Sequence, residues 1–69
     1  MNTIEMLKKL QFSKNENIAR KCKAILLEQT TIEAELRYSG GFLTAVLKGN
    51  YEEALQRADL SNKKCLTKN

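Results

Sequence analysis

Leu26-Leu27-Glu28-Gln29-Thr30-Thr31-Ile32-Glu33 is the stretch whose conformation decides how this chain folds. Ile18, Cys22 and Ile25 lie before or at its edge, Ile32 and Leu36 lie within or after it, and all step by three, four or seven residues. Gln29 is the one polar member of the series. A helix carried through the stretch places these six side chains on one stripe. Such a helix runs from about 14 to 38, roughly 24 residues and about 36 Å at ~1.5 Å per residue. Thr30-Thr31-Ile32-Glu33 also has the form of a capping box, which would begin a new helix there. No proline occurs anywhere in the chain, and the continuous helix is the expectation adopted.

Working outward, Ile4, Leu7 and Leu10, with Met6 beside them, predict a short amphipathic helix over residues 3–10. Ser13 followed by Glu16 predicts the cap that starts the long helix near Lys14. Ser39-Gly40-Gly41 is the expected reversal, its glycines free to adopt a left-handed backbone. A returning helix over 42–62 is expected to kink at 49–50. Gly49 there suits a helix end, and Asn50 with Glu53 suits a fresh cap. Asp59-Leu60-Ser61-Asn62 are weak helix formers, so fraying is expected before Lys63. The expected architecture is a single all-α domain over 1–69. It consists of a short N-terminal helix plus a helical hairpin.

At 69 residues, a chain buries only about 60% of its unfolded surface and commonly needs reinforcement. Two cysteines and no histidine provide neither a disulfide framework nor a structural zinc site. Self-association is therefore expected: a helix-bundle homo-oligomer, a dimer favoured, with Ile18, Cys22, Ile25, Gln29, Ile32 and Leu36 as its interface. In a hairpin turning near residue 40, Cys65 falls about 10 Å from the level of Cys22, too far for a bridge. The polar segment 1–10 lacks the apolar centre of an export signal, and no apolar run is long enough to span a bilayer. Together with free thiols, this points to the cytoplasm and to no membrane partner.

The net charge of +4 is unevenly spread: residues 1–23 carry +4, residues 24–62 carry −3 and residues 63–69 carry +3. In a hairpin, Arg20, Lys21 and Lys23 meet Lys63, Lys64 and Lys68 at one pole. That pole is a candidate anion or nucleic-acid contact. No aromatic is interleaved with these lysines, which disfavours a stacking platform for single strands. Tyr38, Phe42 and Tyr51 gather around the reversal and are the candidate protein-partner contacts, since tyrosine is enriched at interface hot spots.

The segment from Gln29 to Asn50 supports a second organisation. Ser39-Gly40-Gly41-Phe42-Leu43-Thr44-Ala45-Val46-Leu47-Lys48-Gly49-Asn50 resembles the recognition helix of repressor-type helix-turn-helix domains. That resemblance implies a helix from Thr31, a turn at Tyr38-Ser39, and Thr44 and Lys48 facing the major groove. Glu33 and Arg37 depart from the small residue and the turn glycine usual in that family. Gly49-Asn50-Tyr51-Glu52-Glu53-Ala54-Leu55 is similar to the opening of a tetratricopeptide helix. It occurs once, without the ~34-residue period that such arrays need.

Catalysis is not expected. The commonest general base is absent and no phosphate-binding glycine loop is present. Glu33/Glu35 and Glu52/Glu53 are too close in sequence to face one another on a helix. Neither a cofactor nor a metal is implied. The expected function is that of a small non-enzymatic regulatory or inhibitory protein that binds a protein partner. The alternative is a DNA-binding regulator using residues 29–50 or the basic pole.

Overall fold

The first helix is built as its periodicity requires. In the computed structural model, which describes residues 1–68, α1 spans Thr3–Leu10 and is capped by Asn2, whose side chain accepts from the Glu5 N–H at 2.9 Å. Met6, Leu7 and Leu10 on its inner face are fully buried. A turn follows, with the Ser13 N–H donating to the Leu10 carbonyl at 2.9 Å. The next helix, α2 (Glu16–Leu26), is capped by Asn15 rather than by the expected Ser13. Asn15 Oδ1 accepts from the N–H groups of Asn17 and Ile18. Ser13 is drawn inward instead: its hydroxyl donates to Asn62 Oδ1 at 2.5 Å and accepts from the Asn15 N–H at 3.1 Å.

The helix does not continue through the deciding stretch. It stops at Leu26, and Glu28 takes a left-handed backbone with φ 59°. The Glu28 N–H donates to the Ile25 carbonyl at 3.1 Å, and the Gln29 N–H reaches back to Ala24 at 2.8 Å. This is the Schellman closure, formed around a glutamate where glycine is usual. Thr31 Oγ1 then accepts from the Ala34 N–H at 3.0 Å and starts α3 (Ile32–Leu36). Thr30 donates to Glu35 Oε2 at 3.0 Å. The single helix expected over 14–38 is thus two helices, because the two threonine hydroxyls satisfy backbone and side-chain groups at a new helix start.

The Gly-Gly reversal also differs from expectation. Gly40 is the extended N-cap of α4 (Gly41–Leu47), with φ −74°, and Gly41 is that helix's first residue. The glycine in the left-handed region is Gly49 (φ 76°), where α4 ends by the same two-bond closure, the Asn50 N–H reaching the Ala45 carbonyl at 2.9 Å. Asn50 caps α5 (Tyr51–Arg57) by accepting from the Glu53 N–H at 3.2 Å, as the sequence implies. The fraying expected after Ala58 is replaced by a sixth helix, α6 (Leu60–Thr67). Asp59 is its cap, accepting from the Asn62 N–H at 2.8 Å. A residue that weakens a helix interior starts a helix when placed one position before it.

All the described secondary structure is helical. α1 lies at the centre and packs on α2, α4 and α6, while α4 pairs with α5 and α3. The core joins Met6, Leu7 and Leu10 to Cys22 and Ile25 of α2, Leu43, Ala45, Val46 and Leu47 of α4, Ala54 of α5 and Leu66 of α6.

Candidate functional site

The site is set by the way α6 lies against α1. Asn62 and Leu66, four residues apart, turn inward on α6. Leu60, Ser61, Lys64, Cys65 and Lys68 are left along the side that faces α1. Lys9 of α1 ties the pair: its ammonium donates to the carbonyls of Leu66 (3.5 Å) and Lys68, a cation at the negative end of α6. The Ser13–Asn62 bond ties the other end. Between these ties lies an open groove of about 960 Å³. Phe12 (76% exposed) and Leu60 (69% exposed) form its apolar surface, with half-buried Cys65. Lys8, Lys9, Lys14, Lys64 and Lys68 surround it, and among the described residues no carboxylate lines it. Phe12 also borders a smaller hollow of about 440 Å³ with Glu16, Arg20 and Lys23 on its α2 side.

Among the described residues no groove lysine is ion-paired with a carboxylate, and Lys9 alone is engaged, by the carbonyls at the end of α6. The ion pair found among the described residues, Arg57 with Glu53 at 3.1 Å, lies outside it on α5. Like charges gathered over an apolar wall raise the local potential and favour an anionic ligand. The wall itself favours a ligand with apolar surface to bury.

The groove takes in only part of what the sequence singled out. Lys64 and Lys68 line it, and Arg20 and Lys23 line the adjoining hollow. Lys21 is half-buried on α2 and Lys63 exposed on α6. Where an interface between copies was expected, Cys22 and Ile25 are covered by the chain's own helices, and Ile18, Ile32 and Leu36 are half-buried against the same core. Gln29 is exposed in the break after α2. Tyr38 is 79% exposed, whereas Phe42 and Tyr51 pack against the core. Phe42 lies in the first turn of α4, and Tyr51 begins α5 beyond the other end of that helix.

The helix pair α3–α4 has the order that the helix-turn-helix resemblance implies. However, α4 buries Leu43, Ala45, Val46 and Leu47. Thr44 is half-buried, its hydroxyl 3.4 Å from the Ser39 carbonyl it donates to, and Lys48 is exposed beyond the helix end. Within α4, Gly41 is the exposed position, and Phe42 and Thr44 are half-buried. Sequence reasoning missed Phe12, Leu60, Lys8, Lys9 and Lys14. The signal was legible in part, because Phe12 stands between Lys8-Lys9 and Lys14 and is the aromatic interleaved with lysines.

Both cysteines are free, and burial pushes the Cys22 thiol up to about 12. Among the described residues no group of histidine, cysteine and carboxylate side chains could hold a metal ion. No described helix is long and apolar enough to cross a membrane. No protein-family model, curated protein or solved structure matches this chain.

Proposed function

We propose that this chain is a small non-enzymatic regulatory module that binds a protein partner in the groove between α1 and α6. The observation that carries this reading is the pairing of Phe12 and Leu60, two large apolar side chains left more than two-thirds exposed, in a groove lined by lysines. Nucleic-acid phosphates would satisfy the lysines but leave the aliphatic Leu60 against a polar backbone. A protein segment satisfies both, since interface centres combine apolar anchors with a charged rim. The partner site moves from Tyr38, Phe42 and Tyr51 to Phe12 and Leu60 because Phe42 and Tyr51 already serve the chain's own packing. The module also folds around a core drawn from α1, α2, α4, α5 and α6, so the reading does not require a second copy.

Comparative affinity capture tests it. The native chain and a Phe12→Ser/Leu60→Ser variant are used side by side in extracts of the source cell. Both positions are exposed, so the variant should keep its helical circular dichroism. The expected result is a specific protein retained by the native chain and lost by the variant. The same proteins retained by both would contradict it.

A further inference from the structure

Resting on the protein-binding reading of the same groove, we infer that its occupant is an acidic amphipathic helix, laid along the valley between α1 and α6. Three observations converge on this. First, the walls are two helices and no strand is present among the described residues, so the occupant cannot add to a sheet edge. A proline-rich segment needs an aromatic-lined groove, and Phe12 is the one aromatic here. A valley between two helices with an apolar wall matches the helix-in-groove mode. Second, the charge is complementary on both banks: Lys8 stands on α1, Lys64 stands on α6 with Lys68 just past its end, Lys14 lies beyond α1, and among the described residues no carboxylate intervenes. Third, α1 and α6 are each eight residues long, or about 12 Å at ~1.5 Å per residue. That length seats roughly two turns of a helix.

The occupant's chemistry follows from these dimensions. Two apolar anchors spaced three or four residues apart reach Phe12 and Leu60. Glutamates or aspartates on both flanks of that stripe meet the two lysine banks. A one-sided acidic stripe would leave one bank unpaired.

The test uses synthetic peptides of about 14 residues, each with leucine anchors at i and i+4, followed by fluorescence anisotropy and amide chemical shifts of the full chain. One carries glutamates on both flanks, a second carries glutamines there, and a third is the acidic peptide with a central proline. A single-stranded oligonucleotide of similar charge is the fourth probe. The acidic helix is expected to bind at least tenfold more tightly than the glutamine and proline peptides, with shifts centred on Phe12, Leu60 and Cys65. Lys64→Glu is expected to weaken it about tenfold, as is added salt. Equal binding of the glutamine or proline peptide overturns the acidic-helix inference while leaving a protein-binding groove in place. Binding of the oligonucleotide alone, or of no probe, overturns the inference. Oligonucleotide shifts centred on the groove would also overturn the protein-binding reading on which it rests.

Discussion

Replacing Glu28 with glycine changes stability in a direction that depends on whether the helix breaks after Leu26. At φ 59° Glu28 occupies a left-handed conformation that costs a non-glycine residue about 1–2 kcal/mol. Glycine removes that cost but adds about 0.5–1 kcal/mol of unfolded-chain freedom. The side chain is exposed, and its neighbours Glu28 N–H to Ile25 and Gln29 N–H to Ala24 bond through backbone alone, so neither bond is lost. The balance is a gain of about 0.5–1 kcal/mol. In a continuous helix the same substitution would instead lose about 1 kcal/mol. The two outcomes differ by roughly 2 kcal/mol, well outside the error of urea unfolding with an unchanged m-value. A melting temperature raised by about 2–8 °C is expected for a domain of this size. A lowered midpoint would refute the break and restore the single helix.

Other outcomes follow from individual residues. Asp59→Ala removes the cap of α6 and should cost about 1 kcal/mol, with faster amide exchange over 60–67 than over α2. Gly49→Ala forces a Cβ onto φ 76° and to 3.2 Å from Thr3 Oγ1, so a loss of about 1–2 kcal/mol by urea unfolding is expected. In the folded chain the Cys22 thiol is raised from 9.0 to about 12. The folded state therefore holds a proton that the unfolded state has released, and this contribution is intact below pH 9 and is lost as pH rises towards 12. A Cys22→Ala variant should lack that part of the alkaline slope, and a thiol reagent should modify Cys65 before Cys22.

The all-α class and several helix limits were legible in local chemistry. The apolar series from Ile4 to Leu10 marked α1, and Gly49-Asn50 marked the α4–α5 break, because each signal lies within one turn of what it controls. The break after Leu26 was not legible, because Ile25, Ile32 and Leu36 keep helical spacing across it. Periodicity cannot register one left-handed glutamate. The groove was hidden for a different reason. Its two banks are joined by Lys9 with Leu66 and Ser13 with Asn62, pairs 57 and 49 residues apart. Reading 59–62 as a frayed end removed one bank before the site could be assembled. Phe12 was equally obscured, since its place in a turn gives it no helical face and only the fold sets it beside Leu60.

On the proposed function, a protein partner meets this chain at Phe12 and Leu60 rather than at the exposed Tyr38. A photoreactive phenylalanine analogue placed at position 12, and separately at position 38, measures this directly in the source cell. The expected result is one protein crosslinked from position 12, reduced by Lys64→Glu, and no specific product from position 38. A specific product from position 38 with none from position 12 would contradict it.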